Sequence, residues 1–376
     1  MKIAIVCYPT FGGSGVLATE LGMSLVEHGH EIHFIAYKKP VKLTGLNEKL
    51  HFHKVIVPDY PLFSFVPYEL ALSTKLVEIV KKYSIDLLHV HYAIPHAYAA
   101  YMAKKMLEDQ SIKIPIVTTL HGTDITLVGN HPSYKTAVTF SINKSDIVTC
   151  VSNSLKEDTL NQFEIRNKIR VIPNFIDINK YILQQDLCKI ENPIASDELT
   201  VSHVSNFRSV KNVLNVIEIF YNIQKELDVK LLMIGEGPDK SKAEKMCEDL
   251  KISHLVKFLG NSSQVEKNLC HSDLFLLPSS TESFGLAALE AMASKVAIIS
   301  SNAGGLSEIN INGKTGYTSD FDNIDYMTSK SIKLLKSNTL LEKFKKNAFT
   351  KALDYDINKV VPLYEKAYED ALKKAR

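Results

Sequence analysis

Cysteine is scarce in this sequence of 376 residues, and its spacing excludes the common cysteine-based frameworks. No two cysteines form a C-x-x-C pair, their number is odd, and they are far apart: Cys7, Cys150, Cys188, Cys247 and Cys270. Zinc ribbons use C-x-x-C pairs, and disulfide frameworks are recognised by an even number of cysteines in a short chain. The sequence therefore predicts neither a zinc ribbon nor a disulfide framework.

An excess of charge of one sign is also absent. Lysine and arginine total 44, and aspartate and glutamate total 42, which gives a formal net charge of +2. This balance provides no general reason to expect a nucleic-acid partner. Apolar residues make up 45% of the chain and charged residues 23%, so the composition predicts a folded protein.

Long apolar runs are missing as well. No stretch approaches the ~18 apolar residues that span a bilayer. The first residues, Met1–Cys7, form a short apolar run that lacks the length and the cleavage site of a signal peptide. We therefore expect a cytoplasmic protein whose first residues form a buried strand.

The sequence does contain a regular alternation of short β-branched runs and longer helical patterns, which is typical of βαβ units around parallel sheets. The predicted strands are 2–8, 31–37, 51–57, 86–91, 116–120, 147–151, 169–172, 200–205, 229–234, 255–258, 273–277, 296–299 and 315–318. The predicted helices between them are 14–28, 68–82, 94–109, 133–144, 212–227, 240–250, 264–270 and 284–293. At roughly 150 residues per domain, the pattern predicts two doubly wound α/β domains.

The domain boundary is predicted at Ile172–Asp177, before a polar stretch without periodicity that contains Pro193. The last segment carries one apolar stripe, which predicts an amphipathic helix: Val360, Leu363, Tyr364, Ala367, Ala371 and Leu372. We expect that helix to return to the first domain. The predicted domains are then 1–174 with 358–376, and 175–357.

Two glutamates, Glu282 and Glu290, are eight residues apart around a predicted strand-to-helix turn. Open α/β sheets bind ligands at this carboxyl edge. Gly285 would let a ligand approach the backbone, and the free N–H groups of the next helix suit a phosphate. Glu290 can accept protons from two ribose hydroxyls. The alternative for either glutamate alone is a residue beside a helix cap or on a solvated surface.

A second segment, Ser205–Asn212, follows the first strand of the second half and carries the cations Arg208 and Lys211. A helix terminus stabilises an anion by at most ~2 kcal/mol. A fixed cation at ~4 Å contributes about 4 kcal/mol at an effective dielectric of 20, before desolvation. Cations must therefore stabilise most of the charge of a nucleoside diphosphate. The alternative is that both are solvated residues at a helix start.

In the first half, Gly12-Gly13-Ser14-Gly15 joins the first strand to the first helix, and Gly13 allows close contact with a ligand. The segment is neither G-x-G-x-x-G nor a G-x-S-x-G elbow, because Val16 stands where the elbow needs glycine. Gly313-Lys314-Thr315 is not a Walker loop, because Glu308 occupies the upstream glycine position.

Polar side chains also follow three consecutive strands of the first half: His89–His96, His121–Asp124 and Ser152-Asn153. No carboxylate or cysteine accompanies His89 and His91 within their segment, which argues against a metal site there. We expect His91, Tyr92 and His96 to face a cleft at the strand end. The coincidence of three polar strand ends predicts a ligand site.

Together these segments resemble the retaining glycosyltransferases of the GT-B fold that use nucleotide-sugar donors and carry an E-x7-E element. The matching pieces are Gly12-Gly13, His121–Asp124, Pro173–Asp177, Lys211, Gly235–Pro238 and Glu282–Glu290. The resemblance implies two Rossmann-like doubly wound domains facing across a cleft. The N-terminal domain would bind the acceptor, the C-terminal domain would bind the nucleotide sugar, and Pro173–Asp177 would be the hinge.

Within that family, the sequence most resembles members that transfer N-acetylglucosamine from UDP-N-acetylglucosamine to L-malate, the first step of bacillithiol biosynthesis. The segments that carry this resemblance are Cys7–Pro9, Ala18–Gly22, His89–His96 and Thr118–Thr126. The resemblance implies transfer to the malate hydroxyl with retention of configuration and without a metal or other cofactor. A homodimer is an open alternative for the assembly.

The implied site residues fall into three groups. The catalytic group is Lys211, Arg208, Glu282 and His121. The donor-binding group is Gly13, Asn206, Arg208, Lys211, Ser262, Glu282, Ser283, Phe284, Gly285 and Glu290. The acceptor-binding group is Ser14, Tyr92, Thr119 and Asn153. Many family members have arginine five residues before the lysine, where this chain has Asn206, so both Asn206 and Arg208 are kept as candidates.

Retention by double displacement would need a carboxylate nucleophile near the anomeric carbon. Asp124 is the nearby candidate, but its position after a glycine turn favours a capping or orienting role. We therefore expect catalysis mainly by positioning and by stabilisation of leaving-group charge. The alternatives are a lipid or glycan acceptor, for which Lys38, Lys39 and Lys42 are a hint, a UDP-N-acetylglucosamine epimerase, and a silent nucleotide-sugar sensor.

Overall fold

The structure is a computed structural model that describes residues 1–10, 12–59, 65–191, 198–262 and 264–375, with 189–191 described by their backbone alone. Pro193 lies outside the described residues. The chain forms two compact units, Met1–Asn174 with Ile357–Arg376 (unit 1) and Phe175–Asp356 (unit 2). The ranges predicted from the sequence differ from these by one residue, at position 357.

Unit 1 alternates strands and helices from its first residues. Its elements before the boundary are β1 (Lys2–Val6), α1 (Ser14–Glu27), β2 (Glu31–Ala36), β3 (Leu50–Lys54), α2 (Tyr68–Tyr83), β4 (Leu87–His91), α3 (Tyr98–Glu108), β5 (Ile116–Leu120), α4 (Pro132–Lys144), β6 (Ile147–Cys150), α5 (Asn153–Gln162) and β7 (Ile169–Val171). Wide helical turns precede α3 and follow β5, at Ala93–Ala97 and Thr123–Leu127. The helix predicted at 94–109 therefore begins later, at Tyr98.

Unit 2 repeats the alternation and ends in a run of helices. Its elements are α6 (Ile178–Glu191), β8 (Leu199–Val204), α7 (Val213–Gln224), β9 (Val229–Ile234), α8 (Lys240–Asp249), β10 (Val256–Phe258), α9 (Val265–Leu269), β11 (Leu274–Leu277), α10 (Leu286–Ala293), β12 (Ala297–Ser301), α11 (Leu306–Ile309), β13 (Gly316–Ser319), α12 (Ile324–Leu335) and α13 (Asn338–Ala352). The last helix, α14 (Ile357–Ala375), belongs to unit 1.

Each unit contains one parallel sheet. The strand order is β3-β2-β1-β4-β5-β6-β7 in unit 1 and β10-β9-β8-β11-β12-β13 in unit 2. Strands β4, β5, β11 and β12 are buried at every residue, as expected for a parallel sheet covered on both faces. The strand order reverses between β1 and β4 and between β8 and β11. These reversals are the switch points at which open α/β sheets bind ligands.

Helix α14 packs its apolar stripe into unit 1, where Val360, Tyr364, Ala367 and Ala371 are buried. Leu363 was predicted to belong to this stripe, and that prediction was wrong, because Leu363 is 46% exposed. The buried stripe also includes Tyr368, and Leu363 lies roughly a quarter turn from its centre. No helix among the described residues has both the length and the apolar composition needed to cross a bilayer.

Two features of unit 2 were not predicted from the sequence. The stretch after Asp177, predicted to lack periodicity, forms helix α6. Cys188 on α6 and Cys270 at the end of α9 form a disulfide, with their Cα atoms 6.5 Å apart. The sequence predicted no disulfide framework, and it gave no sign of this single bond, because the pair is separated by 82 residues and the packing of α6 against α9 brings it together.

Candidate functional site

The switch point of unit 2 is marked by an ion pair between Lys211 and Glu282. Lys211 follows β8 and Glu282 follows β11, so the pair links the two loops on either side of the reversal. Both side chains are largely buried, with 19% and 11% of their surfaces exposed. Ser279 Oγ also donates to Glu282 Oε1 at 3.0 Å. The structure thus brings together two residues predicted to be catalytic.

Backbone hydrogen bonds fix the loops around this ion pair. Ser280 N–H donates to Val210 O at 2.9 Å, which joins the loops after β8 and β11 directly. Gly305 N–H donates to Glu282 O at 2.9 Å, and Ser301 Oγ donates to Ser279 O at 2.6 Å, so the loop after β12 also supports Glu282. The position of the Glu282 carboxylate is therefore fixed by hydrogen bonds among the loops after β8, β11 and β12.

The loop after β9 packs closely on the loop after β8. A Cβ atom on Gly235, whose φ is +130°, would lie 1.8 Å from Ser205 O, and one on Gly237 would lie 1.9 Å from Asn206 O. Only glycine fits at these two close approaches. Asp239 N–H also donates to Phe207 O at 3.0 Å. This contact explains why the Gly235–Pro238 segment accompanies the cationic loop in the sequence pattern.

A buried histidine supports the cationic loop from below. Burial lowers the pKa of His203 to about 4, so its ring is neutral at pH 7. Its Nδ1–H donates to Leu276 O at 2.8 Å, which leaves Nε2 to accept the Ser205 hydroxyl proton at 2.8 Å. Ser205 Oγ in turn accepts from Phe207 N–H at 3.2 Å. This chain fixes Phe207, whose φ is +40°, at the start of the turn that carries Arg208 and Lys211.

Helix α10 begins at the other side of the ion pair. Gly285 precedes its first residue with φ +95°, and a Cβ there would lie 2.4 Å from Leu306 Cδ2. Phe284 is buried and packs against the Tyr355 ring with centroids 5.5 Å apart. Ser283 lies in the loop before this helix, and Glu290 lies in its second turn. Helix α10 therefore begins four residues after Glu282, so its first N–H groups follow the glutamate as predicted.

The remaining donor candidates lie at the surface. Asn206 and Arg208 are both exposed, so exposure alone does not separate the two candidates. Ser262 Oγ accepts from Gln264 N–H at 3.1 Å and from Asn268 Nδ2 at 2.9 Å at the start of α9. These bonds give Ser262 a role in starting that helix, and they are compatible with a second contact to a ligand.

The switch point of unit 1 is marked by a hydrogen bond between two hydroxyls. Ser14 Oγ and the Tyr92 hydroxyl are 2.6 Å apart. Ser14 begins α1 after the loop that follows β1, and Tyr92 directly follows β4, so this pair spans the reversal of the first sheet. Tyr92 has φ +83°, a strained backbone that proteins keep mainly at functional sites. Two predicted acceptor residues are thus in contact.

The space beside this pair is open at the glycines before α1. A Cβ on Gly13, whose φ is +63°, would meet nothing within 4 Å among the described residues. In contrast, a Cβ on Gly15 would lie 2.3 Å from Tyr8 O, so Gly15 is required for packing. Gly13 therefore has the conformation and the space for the ligand contact predicted from the sequence.

Aromatic rings and imidazoles surround Tyr92. The Tyr92 ring is 5.2 Å from the Tyr8 ring and 5.1 Å from the His121 ring, and Tyr8 is 4.5 Å from His96, all between centroids. His91 Nδ1 is 2.8 Å from His121 Nε2, so the two rings share one proton. Burial lowers the pKa of His121 to about 3, which makes it a neutral donor or acceptor at pH 7.

The two other histidines of this segment are buried rather than open to solvent. His91 is 2% exposed and His96 is 0% exposed, which corrects the expectation that both face a cleft. His96 Nδ1–H donates to His91 O at 2.6 Å. The Nε2 atoms of both rings have no hydrogen-bond partner among the described residues. They are buried because the turn Ala93–Ala97, which contains His96, packs against β4 and β5.

Asp124 has the orienting role that its sequence position favoured. Its Oδ2 accepts from Ala93 N–H at 2.9 Å, and its Oδ1 accepts from Gly122 N–H at 3.0 Å and His121 N–H at 3.3 Å. The carboxylate is 3% exposed, and burial raises its pKa although the backbone N–H groups oppose this shift. Asp124 therefore ties the loop after β5 to the turn after β4.

The last two acceptor candidates differ in accessibility. Thr119 is fully buried, and its Oγ1 is 2.8 Å from His89 Nε2 and 2.7 Å from Thr149 Oγ1. To contact the acceptor substrate, the Thr119 hydroxyl would have to give up one of these two hydrogen bonds. Asn153 is exposed and begins α5, whose N-terminus is capped by Ser152 Oγ accepting from Leu155 N–H at 3.0 Å.

Several residues of these loops were missed by the sequence reasoning. Ser279 and Tyr8 lie two residues after the ends of β11 and β1, so the strand-end rule that selected Glu282 and Tyr92 could have found them. His203 and Gly305 carried no such signal, because their roles depend on hydrogen bonds to other loops. Two groups of three metal-type ligands occur among the described residues, Cys188/Cys270/His271 and Glu31/His33/His51, and neither contains a predicted site residue.

Comparisons with known proteins agree with this architecture. Residues 11–180 match the family model "Glycosyltransferase Family 4", and residues 184–351 match "Glycosyl transferases group 1". The chain is 42% identical over 376 residues to the N-acetyl-alpha-D-glucosaminyl L-malate synthase of Bacillus anthracis, covering 99% of this chain and 98% of that protein. It is 24% identical to the GPI3 subunit of phosphatidylinositol N-acetylglucosaminyltransferase of Saccharomyces cerevisiae, covering 90% of this chain and 76% of that protein.

Solved structures show the same fold. A glycosyltransferase from Rickettsia africae superimposes with a TM-score of 0.79 at 22% identity, covering 99% of this chain and 98% of that one. Anabaena HepE in complex with UDP and glucose superimposes with a TM-score of 0.77 at 16% identity, covering 98% and 99%. The predicted fold class, α/β with two doubly wound GT-B domains, is confirmed by these matches and by the two parallel sheets.

Proposed function

The chain belongs to the group 1 glycosyltransferases of the GT-B fold, and we propose that it transfers N-acetylglucosamine from UDP-N-acetylglucosamine to the hydroxyl of L-malate with retention of configuration. The observation that carries this proposal is the 42% identity, over nearly the full length of both chains, to a protein named for that product. In this proposal the reaction is the first step of bacillithiol biosynthesis.

We assign the donor to unit 2, around the Lys211–Glu282 ion pair. Lysine has three N–H donors, so Lys211 can keep Glu282 and still donate to a phosphate oxygen. Because Lys211 and Glu282 cancel in charge, the net positive charge for a diphosphate has to come from Arg208 and from the first N–H groups of α10. Glu290 is assigned to the ribose hydroxyls, and Ser283, Phe284 and Gly285 to the backbone path along the diphosphate.

The acceptor is assigned to the switch point of unit 1. Ser14, Tyr92 and Asn153 offer neutral hydrogen-bonding groups, and the first N–H groups of α1 offer a terminus suited to a carboxylate. Thr119 stays a predicted acceptor residue whose hydroxyl bonds His89 and Thr149 in this structure. Gly13 stays a predicted donor-binding residue and His121 a predicted catalytic residue.

In the proposed reaction the anomeric C–O bond to the diphosphate breaks, and a bond from the malate hydroxyl oxygen to the anomeric carbon forms on the same face. The malate hydroxyl proton passes to a departing phosphate oxygen. The protein supplies position and charge, and no carboxylate forms a covalent intermediate. We propose that the reaction needs no metal, and the cytoplasmic location and the homodimer stay predictions.

The test is UDP release from UDP-N-acetylglucosamine in the presence of EDTA. Parallel reactions contain no acceptor, L-malate, D-malate or succinate, and the anomeric configuration of the product is read by NMR. We expect release with L-malate alone and an α-linked product. Release without any acceptor would instead indicate an epimerase or hydrolase. Release only with a lipid or glycan acceptor would overturn the malate assignment, and release only after metal is restored would overturn metal independence.

A further inference from the structure

A group of polar side chains lies at the edge of the first sheet, away from the loops described above. Glu31 and His33 point to one face of β2 because they are two residues apart, and His51 and His53 do the same on β3. His33 and His51 are register partners. Because β3 is the outer strand, this edge cluster of one carboxylate and three imidazoles lies at the border of the sheet.

The distances within the edge cluster suit a shared ligand. Glu31 Oε1 is 3.0 Å from His33 Nε2 and 3.6 Å from His51 Nε2. One ligand atom from each of the three residues lies within 4.8 Å of the other two. Zinc is held by imidazole nitrogen and carboxylate oxygen at about 2.0–2.2 Å, so two tetrahedral ligand atoms are separated by roughly 3.4 Å. The spacing of these atoms brackets that separation.

We propose that Glu31 Oε1, His33 Nε2 and His51 Nε2 bind one divalent cation of the zinc class, with water at the fourth position. Two imidazoles and a carboxylate favour such a metal over magnesium or calcium, which prefer oxygen ligands. The Lys2 ammonium lies 3.3 Å from Glu31 Oε2, so it holds the other carboxylate oxygen and leaves Oε1 for the metal.

His53 supports this site from behind. Its Nε2 is 2.9 Å from His33 Nδ1, the ring nitrogen that does not face the metal. Without metal, His53 Nε2–H donates to His33 Nδ1, and His33 Nε2–H donates to Glu31. With metal, His33 carries its proton on Nδ1 and donates to His53 Nε2, while His53 carries its proton on Nδ1. The two rings keep two protons between them, so the exchange is a tautomer change.

The accessibility of the three ligands fits a site that is structured but open. The His33 side chain is fully buried, whereas Glu31 and His51 are 24% and 26% exposed. The His33 and His51 rings are stacked with a 21° angle between their planes, and His51 Nε2–H donates to Glu48 O at 3.0 Å. Binding therefore requires the more exposed His51 ring to turn and to exchange this bond for the metal, with the ring proton on Nδ1. A bound ion would join β3 to β2 and protect the edge of the sheet.

The test uses the full chain, treated with a chelator and kept free of reductant so that the Cys188–Cys270 disulfide stays closed. Calorimetric titration with Zn²⁺ alone should give one ion per chain. His51→Ala and Glu31→Gln should weaken this binding by more than about 100-fold, and His53→Ala by about 10- to 100-fold. His51→Phe keeps a ring stacked on His33 and should behave like His51→Ala.

Two control variants separate this site from others. His254→Ala removes an exposed histidine from unit 2 and should leave binding unchanged. His271→Ala removes the imidazole beside the disulfide, and loss of binding in that variant would overturn the assignment. Failure of the wild-type chain to bind Zn²⁺ at millimolar concentration, or unchanged binding in folded His51→Phe, would overturn it too.

A spectroscopic measurement on the wild-type chain keeps the proposal testable if the variants do not fold. Co²⁺ should bind with the visible absorption of a tetrahedral site and without thiolate-to-metal bands in the near ultraviolet. Thiolate bands would place the metal on cysteine and overturn the proposal. Because Glu31, His33 and His51 lie in the first half of β2 and β3, while the ligand loops follow the carboxyl ends of the strands, UDP release should be equal with and without the ion.

Discussion

Lys211 and Glu282 form an ion pair that joins the loop after β8 to the loop after β11. In unit 1, the hydrogen bond between Ser14 and Tyr92 links the loops after β1 and β4 in the same way. Each pair spans the place where the strand order of its sheet reverses. The two pairs differ in chemistry, because one consists of opposite charges and the other of two hydroxyls. We therefore expect them to bind different ligands.

The first prediction concerns the lysine of the ion pair. Lys211→Ala should lower kcat by about 10²- to 10³-fold, because it removes a fixed cation from the departing diphosphate and leaves the Glu282 charge uncompensated beside it. Steady-state UDP release with saturating L-malate measures this effect. Lys242→Ala, which removes an exposed lysine of α8 that also pairs with a carboxylate, is the matched control and should retain full activity.

A rise in the KM for the donor with an unchanged kcat would contradict this assignment. Such a result would mean that Lys211 binds the ground state and the transition state equally. Glu282→Gln separates the two roles further, because it keeps the hydrogen bond to Ser279 possible but frees Lys211 from its counter-charge. We expect it to retain UDP binding and to lose turnover.

The second prediction distinguishes Arg208 from Asn206. Lys211 and Glu282 cancel in charge, so Arg208 has to supply net positive charge to the diphosphate. Arg208→Ala should weaken UDP binding by about tenfold or more and reduce its salt dependence. Asn206→Ala should change UDP affinity by less than about threefold. Calorimetric titration with UDP at two ionic strengths measures both, and the reverse ranking would assign the diphosphate to Asn206.

The architecture was predictable from the sequence because its signal is repeated along the chain. Parallel strands buried on both faces give short apolar runs, and each such run is followed by a helix. The start of α10 at Leu286 and the late start of α3 were missed, because a glycine with positive φ and a wide turn displace those helices from the apolar pattern. Helix α6 was missed because its apolar periodicity is weak.

The site was predictable only where a residue lies between the end of a strand and the start of the next helix. Glu282 and Lys211 lie in such loops, Tyr92 directly follows β4, and Ser14 begins the helix after β1. The structure pairs these four residues as two contacts. Which two loops lie side by side depends on the strand order of the sheet, and the strand order was not predicted from the sequence. The burial of Thr119 was not predictable from a polar–apolar alternation, because every residue of β5 is buried and the two faces of the strand do not differ in exposure.

The third prediction tests the glycine before α10. In Gly285→Ala, the alanine has to adopt the unfavourable positive φ of this position, and its Cβ also collides with Leu306, which is fully buried. We expect a loss of about 2–4 kcal/mol in the free energy of unfolding of unit 2, together with weaker UDP binding. Gly313→Ala is the control, because its φ is +72° and nothing lies within 4 Å of its Cβ.

Urea titrations of the three chains separate strain from collision. Gly313→Ala should lose only about 1 kcal/mol, which is the cost of the positive φ alone, and should bind UDP normally. Equal losses in the two variants would mean that Leu306 moves aside without cost. Normal UDP affinity in a destabilised Gly285→Ala would mean that the start of α10 does not contact the diphosphate.

The fourth prediction concerns Asp124 and the retention of configuration. Asp124→Asn should remain active and retaining, because the carboxylate accepts three backbone N–H bonds and has no role as a nucleophile. The variant should lose about 1–3 kcal/mol of stability, because the amide NH₂ would face Ala93 N–H. NMR of the product and urea unfolding measure the two effects. A covalent sugar on Asp124, or an inactive variant of wild-type stability, would contradict the prediction.

The fifth prediction is an acid sensitivity of folding that comes from the histidines around the first switch point. Burial lowers the pKa of His89 and His121 to about 3, lowers that of His96 to about 4, and lowers that of His91 well below its usual range. In the unfolded chain these groups titrate near 6.5. Below that pH the unfolded state binds protons that the folded state does not, so the free energy of unfolding falls as the pH is lowered.

Each of these histidines should reduce the free energy of unfolding by about 1.4 kcal/mol per pH unit between pH 6.5 and its folded pKa. Asp124 acts in the opposite direction, because its raised pKa makes stability fall as the pH rises from 3.8 toward the pKa of the folded state. Urea midpoints at pH 7.5, 6.5, 5.5 and 4.5 test the sign. His96→Gln should remove one proton from the slope, whereas a midpoint that stays constant from pH 7.5 to 5.5 would show that these rings are protonated in the folded chain.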